Sequence, residues 1–315
     1  MGGFLSARDL LCPVCRAGFL PETGAGFRCS DCGFELKQVQ GIWRALPQER
    51  EAFFATFARE YLTVRHAEGR GSKDPRYYSA LPYCESSGLL GWQWKIRAAT
   101  FRCFVERVLP TLEGQSGRAL RILDLGSGNG WFCHRMALRG HLPVAVDLLT
   151  DELDGLAAAE HYLGSLTNLF PRFQAEMDRL PFTSRTFDLV VFNASLHYSA
   201  DYNVTLKESQ RCLDTVGHLV ILDTPFYRRR ESGLAMLRER VENFMKLYGV
   251  ASNSLASQEF LTYQQARELG DGLSLSWTRL TPWYGLSWLV RPIKARLQLR
   301  REPSRFHILW GTQAP

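Results

Sequence analysis

The chain has 315 residues, a net charge of +6 and an apolar fraction of 45%, so it can bury a large core. It is too long for one small domain and too short for three. No uninterrupted apolar segment reaches the ~18 residues of a membrane-spanning helix, and the first residues lack a signal-peptide pattern, so we expect a cytoplasmic protein.

Four of the eight cysteines form two Cys-x-x-Cys pairs near the start of the chain, with thirteen residues between the pairs. Each pair closes a tight turn that directs two thiolates toward one ion, and two such turns complete a tetrahedral sulfur site. Four thiolates leave no open position, so Cys12, Cys15, Cys29 and Cys32 are expected to bind a structural Zn²⁺. The alternatives are a redox pair or two disulfides.

The segment LLCPVC…FRCSDCGFELKQVQGIWRAL resembles the small zinc-binding activator subunits of tRNA and translation-factor methyltransferases. It also resembles the zinc ribbon that begins the large-subunit rRNA guanine-N1 methyltransferases. The resemblance covers about forty residues and continues past the cysteines through Gly41-Ile42-Trp43. It implies a zinc ribbon over residues 1–48.

Residues 49–110 are predicted to be mostly helical and rich in aromatic side chains, with a break at 67–75, where Gly, Ser and Pro occur together. Tyr61 and Arg65 are four residues apart and therefore lie on one face of a helix. Packing against the rest of the protein and contact with a ligand are both compatible with this spacing.

A strand, a glycine turn and a helix follow one another at residues 121–140. The apolar strand RILDL precedes Gly126, Gly128 and Gly130, and the helix WFCHRMALRG is expected to end at Gly140. This is the first unit of a doubly wound α/β sheet. The next strand, LPVAVD, ends at Asp147, where a carboxylate can accept both ribose hydroxyls of a nucleoside.

Three further strands continue the pattern. The segment AEMDRLPF places Asp178 near the end of a third strand, where a carboxylate can accept a hydrogen bond from an adenine amino group. The segment FDLVVFNASLHY gives a fourth strand that ends at Asn193, with His197 and Tyr198 in the loop beyond it. A turn and a fifth strand follow in LDTVGHLVILD.

This ordered set of motifs over residues 119–224 resembles class I S-adenosylmethionine-dependent methyltransferases, and most of all the type found in ubiquinone and menaquinone biosynthesis. The resemblance implies S-adenosylmethionine as cofactor, a Rossmann-like seven-stranded sheet and a helical extension that closes over the cofactor. An NAD-dependent enzyme is the alternative. The implied cofactor-binding residues are Asp124, Gly126, Ser127, Gly128 and Gly130 at the methionine part, Asp147 and Leu148 at the ribose, Asp178 and Arg179 at the adenine, Asn193 at the reaction mouth, and Tyr61 and Arg65 at the carboxylate.

After the fifth strand, residues 225–256 are predicted to hold an amphipathic helix that forms part of a substrate roof. A helix in LTYQQARELG and a strand in SLSWTRL come next. The closing RFHILWG is expected to be the seventh strand, antiparallel and beside the edge neighbour of strand five.

The segment PWYGLSWLVRPIKARLQLRREPSR mixes aromatic and basic residues, and residues 281–315 hold six basic residues and one acidic residue. Five of the six net positive charges of the chain therefore lie in this last part. Three interpretations are compatible with residues 283–301: peripheral contact with a membrane surface, contact with a nucleic-acid backbone, and a packed loop with solvated charges.

We expect a methyltransferase in which the protein mainly aligns the acceptor and excludes water. His197 is the candidate general base because the pKa of an unperturbed histidine is close to neutral pH, although it could instead be hydrogen-bonded in its loop. The expected acceptor is a small molecule or lipid-like compound methylated at oxygen, carbon or nitrogen. The alternative is an RNA base in rRNA or tRNA, with the zinc ribbon docking the RNA.

The charge of the ribbon argues against RNA, because residues 1–50 hold six basic and five acidic residues and are nearly neutral. A non-catalytic binding protein is a third class, disfavoured by the intact glycine turn and its flanking acids. The expected organisation is an α/β protein with a zinc ribbon (1–48), a helical linker and cofactor lid (49–110) and a methyltransferase domain (111–315) that includes the roof insert (225–256). The protein is expected in the cytoplasm, where residues 283–301 could attach it peripherally to a membrane.

Overall fold

The computed structural model describes residues 4–21 and 26–313, and the elements below belong to these residues. The strands are β1 (Phe19–Pro21), β2 (Phe27–Cys29), β3 (Glu35–Leu36), β4 (Gln38–Val39), β5 (Ile42–Arg44), β6 (Arg121–Leu125), β7 (Leu142–Asp147), β8 (Arg172–Gln174), β9 (Phe187–Asn193), β10 (Leu213–Leu222), β11 (Phe226–Tyr227), β12 (Leu261–Thr262), β13 (Leu275–Leu280) and β14 (Ile308–Gln313). The helices are α1 (Gln48–Ala67), α2 (Pro75–Ala80), α3 (Gly91–Arg107), α4 (Leu109–Ser116), α5 (Trp131–Ala137), α6 (Tyr202–Cys212), α7 (Arg230–Tyr248), α8 (Tyr263–Leu273), α9 (Leu286–Leu289) and α10 (Arg291–Leu297). Short 3-10 helices cover Ala7–Asp9, Leu156–Tyr162 and Leu196–Tyr198.

A central sheet of nine strands has the order β13-β14-β10-β9-β6-β7-β8-β5-β4. The six strands from β10 to β5 in this order are parallel to one another. The closing strand β14 lies between β10 and β13 and is antiparallel to both. The sequence therefore predicted its direction correctly, and the structure places it directly beside strand five.

Alternate residues of the parallel strands point to opposite faces of the sheet, as the two-residue repeat of a strand requires. On one face, Leu123 and Leu125 pack in a cluster that also contains Cys12 and Phe19 of the N-terminal segment. On the other face, Ile122 packs in a second cluster, which holds side chains of α3, α4 and α5. Both faces are covered, which explains why these strands are continuous apolar runs.

The sheet has two strands more than the seven that the sequence predicted, because the end of the N-terminal segment joins it. Residues 42–44 of β5 pair in parallel with residues 172–174 of β8, and β4 then pairs with β5 in an antiparallel hairpin. An unpaired β8 would present a row of free backbone groups at the edge of the sheet. The N-terminal segment covers that edge.

The helical flanks agree with the sequence prediction. Helix α1 ends at Ala67, where the predicted break begins, and α7 lies within the predicted roof insert. Among the described residues, no helix combines the length and the apolar character needed to traverse a bilayer.

Candidate active site

A cavity of about 250 Å³ opens at the carboxyl ends of β6, β7 and β9, the edge where open α/β sheets bind ligands. Helix α1 forms one wall of the cavity and the loops after the strands form the others. Nine of the predicted cofactor residues line it, namely Tyr61, Arg65, Gly126, Ser127, Gly128, Asp147, Leu148, Asp178 and Asn193. The fold thus brings together residues from five separate parts of the sequence.

The glycine turn brings main chain, rather than side chains, to the cavity. Gly126 has a φ of +72° and donates its N–H to the carbonyl of Val146 at 2.8 Å. A Cβ atom at Gly126 would lie 2.3 Å from the Cβ of Ser195, closer than packed atoms allow. Both the backbone conformation and the space therefore require glycine here.

Asp147 is held by the turn that it faces. Its Oδ2 accepts the N–H of Gly128 at 2.8 Å, and its Oδ1 accepts the N–H of Leu149 at 2.8 Å. Burial raises the pKa of Asp147 to about 6, against the hydrogen bonds that lower it. Each carboxylate oxygen has a second lone pair, so the group can still accept two hydroxyl donors from a ligand.

Asp124 lies fully buried below the glycine turn. Its Oδ2 accepts a bond from the Sγ of Cys133 at 3.4 Å, whereas its Oδ1 has no partner among the described residues. The Oγ of Ser127, in the turn itself, is also buried without a partner. Such unpaired buried groups are uncommon in folded proteins, and they fit a site that receives a polar ligand with hydrogen-bond donors and acceptors.

Tyr61 and Arg65 meet on the wall formed by α1, as their four-residue spacing predicted. The guanidinium of Arg65 donates to the hydroxyl of Tyr61 at 2.6 Å and to the hydroxyl of Tyr198 at 3.3 Å. Its Nε also lies 3.9 Å from Asp154, which approaches from the loop after β7. Arg65 is therefore oriented before any ligand binds.

A second basic group ties α1 to the sheet. Arg50 makes a two-point ion pair with Glu176, with distances of 2.8 and 2.6 Å. Glu176 lies between β8 and Asp178, so this pair spans the cavity beside the predicted adenine position. A bidentate pair between a guanidinium and a carboxylate fixes the relative orientation of the two groups and is stronger than a single hydrogen bond. Helix α1 is thus fastened to the segment that carries Asp178.

Four predicted residues do not line the cavity. Asp124 is below the turn, and Gly130 caps helix α5 with a φ of +73°. Arg179 turns to the N-terminal segment and donates to the carbonyls of Pro13 and Val14.

His197 lies behind Tyr198, whose ring is 4.4 Å away. Burial lowers the pKa of His197 to about 4, and its Nδ1 has no partner within the described chain. It is therefore neutral at pH 7 and outside the lining of the cavity.

Arg97 is a cavity residue that the sequence did not single out. Its guanidinium lies 4.7 Å from the ring of Trp94 and makes no hydrogen bond or ion pair within residues 4–21 and 26–313. Burial lowers the pKa of Arg97; the neighbouring Arg70 and Arg65 act in the same direction, and Asp223 and Asp154 act against them. Nothing in the local sequence distinguishes this arginine from the surface arginines of a helix. Its place beside the glycine turn depends on the packing of α3.

The four paired cysteines converge in the N-terminal segment. Their sulfur atoms all lie within 4.8 Å of one another, with Cys12 and Cys32 at 3.5 Å and Cys15 and Cys29 at 3.3 Å. All four are free thiols. A tetrahedral Zn²⁺ with bonds of ~2.3 Å needs sulfur atoms ~3.8 Å apart, so the donor set fits this ion.

The first cysteine turn packs directly on the segment that follows Asp178. The N–H of Leu11 donates to the carbonyl of Pro181 at 3.1 Å, and the N–H of Thr183 donates to the carbonyl of Asp9 at 2.9 Å. Leu10 and Phe182 form the β-bridge between them. The N-terminal segment that holds the cysteine cluster is thus bonded to the chain three to five residues after Asp178, which lines the cavity.

Comparison with known proteins agrees with this geometry. Residues 123–221 match the family model of a methyltransferase domain, Methyltransf_11. The chain is 30% identical over 118 residues to the malonyl-[acyl-carrier protein] O-methyltransferase of Erwinia pyrifoliae, a match covering 36% of this chain and 40% of the relative. It is 29% identical over 150 residues to the tRNA 5-carboxymethoxyuridine methyltransferase of Escherichia coli, covering 48% of this chain and 54% of that protein.

Among solved structures, the 1,6-didemethyltoxoflavin-N1-methyltransferase of Burkholderia thailandensis is similar over 93% of this chain and 100% of that chain, with a TM-score of 0.48 and 13% identity. The chain spans about half the length of the curated relatives it matches. The matched segment contains the glycine turn, Asp147 and Asn193. The order of the parallel strands is the Rossmann-like arrangement expected from the sequence, and residues 123–221 within it are similar to a methyltransferase domain.

Proposed function

We propose that the chain is an S-adenosylmethionine-dependent methyltransferase that modifies a small-molecule or lipid-like acceptor. One observation carries the proposal: the cavity combines the glycine turn with the half-buried Asp147 at the carboxyl ends of the central strands, and an unpaired oxygen of Asp124 lies buried below that turn. When bound there, S-adenosylmethionine supplies an electrophilic methyl group.

Each part of the cavity has a role toward this cofactor. Asp147 accepts the ribose hydroxyls, and the main chain at Gly126 and Gly128 approaches the methionine part. The unpaired guanidinium of Arg97 suits a carboxylate, because a charge-assisted bond replaces water at a buried cation. Arg65 is already engaged by two tyrosine hydroxyls and shapes the wall beside it.

The acceptor side of the cavity is aromatic, which favours an apolar acceptor. Phe54, Phe57 and Tyr198 line it together with Trp131. Rings of this size exclude water and hold an acceptor in line with the methyl group, and alignment supplies most of the rate enhancement expected for such a transfer. A polynucleotide acceptor would instead need a broad surface of Lys and Arg side chains around the cavity entrance to bind its phosphates.

At the same edge of the sheet, Thr100 connects the segment after β10 to the C-terminal part of the chain. Its hydroxyl donates to Asp223 at 2.6 Å and is 2.9 Å from the hydroxyl of Tyr284. Tyr284 belongs to the aromatic and basic segment 283–301. That segment is therefore tied to α3, the helix that carries the cavity residue Arg97, which supports an acceptor delivered from an apolar surface.

His197 is the group proposed to accept a proton if the acceptor needs deprotonation. Its neutral ring has a free Nδ1, but it lies behind Tyr198 and its pKa of about 4 makes it a weak base. An acceptor that is already ionised needs no base. The proposal therefore gives alignment by the aromatic wall the larger role.

The four converging cysteines are proposed to bind one structural Zn²⁺. Support comes from the mutual distances of their sulfur atoms and from the absence of an open position in a four-thiolate set. An ion there would fix the turn that packs on residues 180–183, so its proposed role is to hold one wall of the cavity.

An RNA acceptor is the second candidate, favoured by the similarity to a tRNA methyltransferase. In this alternative the cysteine segment would dock the RNA. Its nearly neutral charge argues against a module that follows phosphates.

Transfer of labelled methyl from S-adenosylmethionine into a cell extract, followed by solvent partition and nuclease digestion, tests both. We expect the label in the organic or small-molecule fraction with the wild-type protein and none with Gly126→Ala. Nuclease-sensitive label would replace the first candidate by the second, and no transfer to any fraction would contradict a methyltransferase.

A further inference from the structure

A second cleft, of about 460 Å³, lies between β13, the start of α10 and the chain before β14. Four arginines line it: Arg228, Arg279, Arg291 and Arg305. They come from four separate segments of the chain, so the fold, rather than one run of basic sequence, gathers them. The cleft is distinct from the cavity of the methyltransferase domain, with which it shares no lining residue.

None of the four guanidiniums pairs with a carboxylate in the part of the chain that the structure describes. Arg291 lies 3.8 Å from the ring centre of Trp288, and Arg279 lies 5.0 Å from that of Tyr263. The nearby Glu302 accepts the backbone N–H of Arg228 at 2.6 Å. The cleft therefore offers four guanidinium groups that no side-chain ion pair neutralises within the described residues, which suits an anionic ligand.

An apolar surface borders the cleft. Helices α9 and α10 carry Leu286, Leu289, Ile293 and Leu297 at helical spacing, and all four are exposed. Leu286 is 73% and Leu297 80% exposed, so no part of the described chain covers this face. Residues 283–301 also hold five basic residues and no acidic residue.

We propose that the arginine cleft binds the phosphate headgroup of an anionic phospholipid while the exposed face of α9 and α10 inserts into the membrane interface. Charge and polarity both select this occupant. The arginines are complementary to phosphate, and the adjoining leucines and isoleucine need an apolar phase, which nucleic acid and free phosphate do not offer. Stable attachment to a membrane surface needs two signals, and apolar insertion beside a basic site supplies both.

Flotation of the full chain with vesicles tests this site without using methyl transfer. The vesicles are phosphatidylcholine alone or phosphatidylcholine with phosphatidylglycerol. We expect binding to the second kind only. The double variant Arg228→Gln/Arg279→Gln should weaken vesicle binding about thirtyfold, because each arginine near an anionic surface contributes ~1 kcal/mol.

A second double variant, Leu286→Ser/Leu297→Ser, should weaken vesicle binding by about tenfold or more through lost apolar burial. The matched control is Arg107→Gln/Lys207→Gln, which removes the same net charge from exposed positions away from the cleft. It should float like the wild-type chain. Because all these positions are exposed or half-buried, far-ultraviolet circular dichroism can verify that each variant is folded.

Three outcomes would overturn the proposal. Equal loss in the control variant would mean that net charge alone attracts the chain to the vesicles. Displacement by inorganic phosphate, with unchanged binding by the leucine variant, would assign the cleft to a small phosphorylated ligand. Absence of vesicle binding, together with single-stranded RNA binding that the arginine variant loses, would assign it to nucleic acid.

Discussion

Arg16, in the turn of the first cysteine pair, forms a 2.6 Å ion pair with Glu208 of α6, across 192 residues of sequence. The same arginine donates to the carbonyl of Leu180 at 2.8 Å, and Glu208 accepts the N–H of Leu180 at 2.8 Å. Arg211 is the second cation on Glu208. These bonds connect the cysteine cluster, the sheet and the segment after Asp178.

Replacing Arg16 should therefore loosen the contact between the cysteine segment and the domain. We expect Arg16→Met to lower the free energy of unfolding by about 1–2 kcal/mol, since Arg211 still balances the buried carboxylate of Glu208. Urea unfolding measures the change. Arg8→Met, an exposed arginine of the same segment, is the control and should change stability by less than about 0.5 kcal/mol. Equal effects of the two variants would show that the ion pair adds nothing.

Removing the metal should unfold the cysteine segment. We expect the purified chain to contain one zinc ion, and Cys29→Ser to lose it with a fall of at least about 3 kcal/mol in stability, because a small four-thiolate module folds only around its ion. Metal analysis and thermal unfolding measure both quantities. Cys84→Ser, an exposed single cysteine, is the control and should keep the metal. A chain that is metal-free and equally stable would contradict the zinc assignment.

Arg97 should recognise the carboxylate of the cofactor. We expect Arg97→Met to weaken binding of S-adenosylhomocysteine about 10–100-fold, the effect of one charge-assisted hydrogen bond. Binding of methylthioadenosine, which has the nucleoside but lacks the carboxylate, should be unchanged. Titration calorimetry with both ligands separates a loss of carboxylate recognition from a general loss of cofactor binding. Equal weakening of both ligands would instead indicate a packing defect, and no weakening of either would assign Arg97 to the acceptor.

Cofactor affinity should depend on pH through Asp147. Burial raises the pKa of this carboxyl from an ordinary 3.8 to about 6. The ligand-free fold therefore holds this proton more tightly than the unfolded chain does, and its stability falls as pH rises from about 4 to about 6. The ribose hydroxyls need the ionised form, so S-adenosylhomocysteine should bind more tightly as pH rises through about 6.

Asp147→Asn should bind more weakly at pH 8 and lose this dependence. The buried Asp124, whose pKa burial raises to about 7, would leave a smaller transition at higher pH. Calorimetric titration of each protein with S-adenosylhomocysteine at a series of pH values measures the affinity and its pH dependence. An unchanged pH profile in Asp147→Asn would remove this carboxylate from the binding site.

Local patterns were sufficient to predict the domain that holds the cavity. The strand before Gly126, the helix after Gly130 and the acid at the end of β7 each depend on a few neighbouring residues. The i, i+4 spacing also placed Tyr61 and Arg65 on one face, and the structure shows that this face lines the cavity.

The remaining features depend on contacts between distant segments. Arg97 looks like any helical arginine until α3 packs near the cavity. Arg179 is a predicted cofactor residue, but it donates to the carbonyls of Pro13 and Val14 instead of lining the cavity. The arginine cleft has the same origin, because its four members are dispersed in sequence. β5 is also only three residues long, so its own sequence gave little signal that it would join the central sheet.

The pairing of β5 with β8 has a consequence for the order in which the protein can form. The side chains of Arg44 and Gln174, which meet at 3.0 Å across these strands, are 130 residues apart, so the N-terminal strands leave the ribosome long before their partner exists. Contacts of high sequence separation form late and slow folding. Until then the outer edge of the parallel strands stays open to other chains. Expression of residues 49–315 alone would leave that edge open permanently.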